Sequence, residues 1–148
     1  MFVCHGNICR SPMAEFLMKD AVQKAGREKE FLIASTGVSD EDIWGGVGNP
    51  VYPPVRRILA ERGISTDGKR ATLLTEKDGG RYDYFLCMDE GNLRRAKRIV
   101  GKEHEGKCHL LLAFTGRDGS VADPWYTRDF SETLSDLVYA VEVLLQKL

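Results

Sequence analysis

The sequence predicts an α/β fold built on a small, helix-covered parallel sheet, and three features carry that prediction. Short apolar runs of strand length alternate with longer stretches of helical period. Strands separated by helices pair in parallel through right-handed crossovers. No repeat, linker or low-complexity tract interrupts the 148 residues, so residues 1–148 are expected to be one domain. The composition agrees: 43% of the residues are apolar and 29% charged, as in ordinary globular chains. In such sheets, ligands bind beyond the carboxyl ends of the strands.

Each element has a local reason. Residues 1–3 form a short apolar stub, read as the first strand. Ser11 suits a helix N-cap and Pro12 the first helical position. Met13, Ala14, Leu17, Met18, Ala21, Val22 and Ala25 then recur three and four apart, and Gly26 ends the run. Residues 31–35 read as a second strand, followed by a Gly-, Asp- and Pro-rich loop over 36–53. Residues 54–62 form a short helix with Val55, Ile58 and Leu59 on one side and Gly63 at its end. Thr75 caps a brief turn over 76–78, and residues 84–88 are a third strand. Asp89 caps a helix whose buried stripe is Leu93, Ala96, Ile99 and Val100. Residues 107–111 are a fourth strand, a loop runs to Asp129, and an amphipathic helix begins near Ser131.

Charge excludes one class of function. Lys plus Arg number 21 against 22 Asp plus Glu, a net −1, so the basic surplus of a sequence-blind nucleic-acid binder is missing. No apolar stretch approaches the roughly 20 residues that span a bilayer, and the first residues lack the pattern of a secretory signal. The expectation is a cytoplasmic protein with four free thiols, without nucleic-acid or membrane partners.

The chemistry concentrates in Cys4-His5-Gly6-Asn7-Ile8-Cys9-Arg10-Ser11, between the first strand and the first helix. Five residues separate Cys4 from Arg10, enough for backbone amides to curl round a tetrahedral anion at a helix N-terminus. Gly6 and Asn7 tolerate the positive φ of such a curl, and the Arg10 fork binds two phosphate oxygens at once. Helix termini favour thiolate over thiol. Cys4 is therefore expected to be an anionic nucleophile, with Ser11 donating a hydrogen bond to it. Cys4 and Cys9 lack zinc-site spacing, and no second Cys/His pair completes a site, so neither metal nor cofactor is expected. An aryl ester leaves faster when protonated. Asp123, held by Pro124 on the loop after the fourth strand, is the candidate acid.

The run from Val3 to Glu15 (V-C-H-G-N-I-C-R-S-P-M-A-E) resembles the low-molecular-weight protein tyrosine phosphatases. The resemblance continues through Ser35-Thr36-Gly37, the loop around Trp44, Met88-Asp89 and Asp123-Pro124-Trp125-Tyr126, and so spans essentially the whole chain. It implies a three-layer sandwich with a four-stranded parallel sheet, and hydrolysis of phosphotyrosine proteins through a phosphocysteine, releasing inorganic phosphate that also inhibits. The implied roles are Cys4 nucleophile, Arg10 clamp and Asp123 acid and then base, with His5, Gly6, Asn7, Ile8, Cys9 and Arg10 cradling phosphate. Asn7, Ser11 and Ser35 support the cradle, while Trp44, Trp125 and Tyr126 wall the substrate ring. Cys9 is implied as a redox partner that shields Cys4 in a reversible disulfide. A histidine commonly joins the supporting network, but the stretch 66–70, Thr-Asp-Gly-Lys-Arg, has none.

Rival readings differ by named residues. An arsenate reductase of the same fold needs further relay thiols, and Arg94 stands where Cys87 needs a partner. Relatives acting on phosphoarginine tend to have Thr at the position of Ile8. A phosphocysteine carrier, or a non-catalytic phosphate-binding module, has no use for an acid such as Asp123. Cys87 and Cys108 sit in strand patterns and read as core.

Overall fold

The computed structural model describes residues 1–148. In chain order the elements are β1 Phe2–Cys4, α1 Arg10–Lys24, β2 Ser35–Gly37, a hairpin of β3 Ile43–Trp44 and β4 Val47–Gly48, α2 Pro53–Glu61 and α3 Glu76–Gly79. There follow β5 Phe85–Cys87, α4 Glu90–Val100, β6 Cys108–Leu110, the short turns α5 Leu111–Phe114 and α6 Pro124–Thr127, and α7 Phe130–Lys147. The main sheet has the order β2-β1-β5-β6 with every pair parallel. The chain leaves β1 for β2 on one side and later crosses to β5 on the other. This reversal opens a crevice at the carboxyl end of β1, where Cys4 ends the strand.

The period-two alternation of the strands divides the interior between two faces. Phe2, Cys4, Leu86 and Met88 point into one core, which Met13 and Leu17 of α1 and Leu137 and Leu144 of α7 complete. Val3, Phe85, Cys87 and Cys108 point into the other, beneath Ala96 and Val100 of α4. Both faces are covered, which is why the two central strands, β1 (Phe-Val-Cys) and β5 (Phe-Leu-Cys), are apolar throughout. No helix is long and apolar enough to cross a membrane.

Three sequence expectations shift. Helix α1 opens at Arg10 with Cys9 at the N-cap, so Ser11 lies inside the first turn and caps nothing. Its hydroxyl is engaged by Cys4 and Asn7 instead. The end is as expected: Gly26 takes φ 67°, and Arg27 N–H reaches back to the Val22 carbonyl at 2.9 Å. The second strand is residues 35–37 rather than 31–35, because β1 pairs Phe2 with Ser35 and Cys4 with Gly37. Phe31 and Ile33 pack on the helical core from outside the ladder, which explains their apolar character. Finally, the loop over 36–53 contains the β3–β4 hairpin, turned by Gly45 and Gly46 at φ 55° and 80°.

Candidate active site

The loop from Cys4 to Arg10 wraps the N-terminus of α1. Only Asn7 in it has positive φ, 61°. Gly6 is needed for a different reason than expected: a Cβ there would collide with the Asp42 carboxylate, which Asn49 Nδ2 holds at 3.2 Å. The amides of Gly6, Ile8 and Cys9 donate to no protein acceptor, while the Asn7 amide donates to Cys4 Sγ at 3.3 Å. Unpaired amides beside a helix N-terminus constitute an anion site.

Cys4 is 3% exposed, and its Sγ lies 2.9 Å from Ser11 Oγ. Asn7 braces the loop: its Nδ2 donates to Ser11 Oγ at 2.8 Å and to Ser35 Oγ at 2.9 Å, and its Oδ1 accepts the Thr72 amide at 3.0 Å. The three residues expected to support the cradle are thus bonded to one another. The residues reaching this network from the loop without a histidine are Lys69 and Thr72.

Arg10, also 3% exposed, is held by three acceptors. Its Nη1 donates to Asp89 Oδ2 at 2.9 Å and to the Val121 carbonyl at 3.0 Å, and its Nη2 to Asp123 Oδ2 at 3.4 Å. Sequence reasoning assigned Asp89 only to capping α4. It does cap, accepting the Asn92 amide on Oδ1 at 2.8 Å, but its second oxygen aims the arginine fork. An acid directly after a strand's carboxyl end was the available signal. Asp123 has one oxygen on Arg10 and the other on the Trp125 amide at 3.0 Å, where it caps α6.

These groups line one cleft of about 540 Å³, bounded by Cys4, His5, Gly6, Ile8, Cys9 and Arg10 on the cradle side. Asp123, Trp125, Tyr126, Tyr52 and Phe130 form the other side, with Glu41 and Asp42 at the edge. His5 Nε2 lies 3.0 Å from Glu41 Oε2, which ties the edge to the cradle. Trp44 is not brought in. It stands on the solvent-projecting hairpin, 72% exposed, and does not line the cleft. Tyr52, which the sequence did not single out, lines the cleft instead and meets Trp125 edge-on with ring centroids 6.2 Å apart. Trp125 and Tyr126 are 66% and 81% exposed, unusual for large aromatics unless they serve a surface.

The remaining thiols are held neutral. Burial, reinforced by Cys4 and Asp123, pushes Cys9 up to about 12. Burial, with Cys108 as neighbour, pushes Cys87 further still.

Comparison with known proteins identifies the family and the fold. The family described as "Low molecular weight phosphotyrosine protein phosphatase" matches residues 1–148. The chain is 35% identical to low molecular weight protein-tyrosine-phosphatase YfkJ of Bacillus subtilis over 147 residues, covering 98% of this chain and 92% of that protein. It is 35% identical to the low molecular weight phosphotyrosine protein phosphatase of Sus scrofa over 152 residues, 99% of this chain and 93% of the relative. The crystal structure of YfkJ superimposes with a TM-score of 0.90 at 34% identity, covering 99% of this chain and 91% of that one. The chain belongs to the low molecular weight phosphotyrosine protein phosphatase family.

Proposed function

We propose that this phosphatase removes phosphate from protein phosphotyrosine in two displacements at the Cys4 sulfur. The Cys4 thiolate attacks phosphorus, the bond from phosphorus to the tyrosyl oxygen breaks, and Asp123 gives that oxygen its proton. Asp123, now a carboxylate, takes a proton from water. The water oxygen attacks the phosphocysteine, the sulfur–phosphorus bond breaks, and inorganic phosphate leaves. Arg10 and the amides of Gly6, Ile8 and Cys9 hold the phosphoryl oxygens as charge builds on them. The observation that carries this reading is that Cys4, Arg10 and Asp123 line one cleft, with Arg10, the first residue of the cradle helix, bonded to the acid.

Tyr52, Trp125 and Tyr126 supply the walls for a flat ring, worth roughly 0.5–1.5 kcal/mol per good aromatic contact beyond burial. Trp44 belongs instead to the surface offered to the protein around the phosphotyrosine. A nucleophile that must stay reduced favours a reducing compartment such as the cytoplasm, and the four cysteines are free thiols. The arsenate reductase reading lacks a usable relay, since Cys87 is fully buried and stays a neutral thiol. Ile8 on the cleft wall favours phosphotyrosine over phosphoarginine.

The test is a substrate panel of phosphotyrosine, phosphoserine and phosphoarginine peptides, with arsenate as a further arm, on wild type and Cys4→Ser. Phosphotyrosine turnover that persists in chelator, is inhibited by inorganic phosphate and is abolished in Cys4→Ser supports the reading. Preferred turnover of phosphoarginine, faster thiol-dependent arsenate reduction, or an active Cys4→Ser overturns it.

A further inference from the structure

The charge balance of the cleft is the reverse of what a phosphate site alone calls for. Of the side chains that line it, only Arg10 is a permanent cation, while Glu41, Asp42 and Asp123 are acids. Arg10 is already engaged, with Asp89 at 2.9 Å and Asp123 at 3.4 Å. Asp123 carries a proton to the leaving group in the reaction above, but Glu41 and Asp42 have no such task. The floor of the cleft therefore attracts an anion through free amides and a helix N-terminus, and its rim repels one.

Both rim carboxylates are held against the cradle. Asp42 directly precedes β3. Its carbonyl accepts the Asn49 amide at 2.7 Å, its Oδ1 accepts from Asn49 Nδ2 at 3.2 Å, and its Oδ2 lies over Gly6, where a Cβ would strike it. Glu41 has a side chain 69% exposed, and its one charged neighbour is His5, whose Nε2 lies 3.0 Å from Oε2. His5 is itself pinned, since its carbonyl accepts the Val38 and Ser39 amides at 3.1 and 3.0 Å. No lysine or arginine of the chain pairs with either carboxylate.

Two fixed negative charges beside the cradle oppose a phosphate dianion that arrives alone. A substrate that brings its own cation turns the same charges into an attraction, and one with acidic flanks meets added repulsion. The aromatic faces of Tyr52, Trp125 and Tyr126 border the same cleft, the last two 66% and 81% exposed. A guanidinium suits both kinds of neighbour, because it stacks on aromatic rings and donates to carboxylates through a planar fork.

We propose that Glu41 and Asp42 are specificity residues that select phosphotyrosines flanked by arginine or lysine and reject those with acidic flanks. The phosphate anchors the tyrosine at the floor, and a cation of the same polypeptide pairs with the carboxylates at the rim. The inference deepens the phosphotyrosine reading and rests on it.

The test measures kcat/KM for three phosphotyrosine peptides of equal length, flanked on both sides by Arg, Ala or Glu. The proteins are full-length wild type, Glu41→Gln, Asp42→Asn, the double variant and Glu103→Gln. An exposed charge pair contributes up to about fivefold, so at low ionic strength wild type should prefer the Arg-flanked to the Ala-flanked peptide on the order of tenfold. The Glu-flanked peptide should be the slowest, and about 0.5 M salt should remove most of the preference. Each single variant should lose part of it and the double variant nearly all. Glu103→Gln deletes the same charge from an exposed position outside the cleft and should keep the preference. Inorganic phosphate should inhibit the double variant a few fold more strongly, because the charges that repel it are gone. Equal turnover of the three peptides by wild type, a preference for Glu flanks, or a preference unmoved in the double variant overturns the inference. So does an equal loss in Glu103→Gln, which leaves only the net charge of the chain. Stronger phosphate inhibition with an unmoved peptide preference also overturns it and leaves a rim that acts on free anions alone. If wild type hydrolyses none of the three peptides, the phosphotyrosine reading itself falls, whereas hydrolysis without discrimination removes only this inference.

Discussion

Asn7 joins two burdens in one residue, and a pair of substitutions separates them. Its backbone is left-handed at φ 61°, and its buried amide makes three hydrogen bonds across the cradle. Asn7→Ala removes all three. Ser11 and Ser35 keep other partners, at about 0.5–1.5 kcal/mol for each lost bond, while the Thr72 amide is orphaned at about 1–3 kcal/mol. Alanine in left-handed backbone adds about 1 kcal/mol. The total, about 5 kcal/mol, is tolerable for a domain of this size, whose stability is on the order of 10 kcal/mol. Asn7→Gly loses the same bonds without the backbone penalty. Urea unfolding should therefore find the glycine variant about 1 kcal/mol more stable than the alanine variant. Both should lose about a hundredfold or more in kcat/KM for p-nitrophenyl phosphate, because the cradle is no longer held in place. A glycine variant within a few fold of wild-type turnover, or an alanine variant as stable as the glycine one, contradicts the assigned roles.

Further consequences follow for the acid, the second thiol and a peripheral histidine. Asp123→Ala should slow phenyl phosphate turnover about 10²-fold or more but substrates with good leaving groups far less, measured as a leaving-group series; equal losses argue against proton donation. Cys9→Ser should leave wild-type turnover nearly intact yet turn peroxide inactivation from reversible to irreversible under dithiothreitol, while unchanged recovery removes Cys9 from redox protection. His109 packs against Tyr84 and Phe114, and burial, aided by Lys97 and Lys147, lowers its proton affinity below the usual value of 6.5. The unfolded chain then binds the proton more readily, so the histidine makes stability rise with pH up to about 6.5, and acidification through that range removes stability. His109→Phe should flatten the dependence of Tm on pH between about 5 and 7; an unaltered slope refutes the assignment.

The local signals in the sequence were dependable where chemistry and geometry coincide in a few adjacent residues. Cys4 to Arg10 lie in one loop, so their spacing, together with Gly6 and Asn7 inside it and a helix start behind it, points to an anion cradle, and Asp89, Gly26 and Gly63 mark helix ends by their own side chains or lack of one. What the sequence hid depends on pairing across distance. The apolar run at 31–35 looks more strand-like than the polar Ser35-Thr36-Gly37, yet the latter pairs with β1, and its buried hydroxyls are satisfied by Glu15 and Thr72. Trp44 looked like a wall because it is aromatic in a loop, but a two-glycine turn carries it into solvent and Tyr52 occupies the cleft. Asp89 and Lys69 serve residues 79 and 54 positions away respectively, Arg10 and Glu15, and nothing local announces such bonds.

The central claim is that phosphate passes through the Cys4 sulfur, and trapping the intermediate tests it most directly. Asp123→Asn, mixed with radiolabelled p-nitrophenyl phosphate, whose leaving group departs without a proton, and quenched within milliseconds, should hold close to one phosphate per chain, mapped to the peptide bearing Cys4 and stable as a thiophosphate ester. Label on another residue such as His5, or no label while product still forms, contradicts the account.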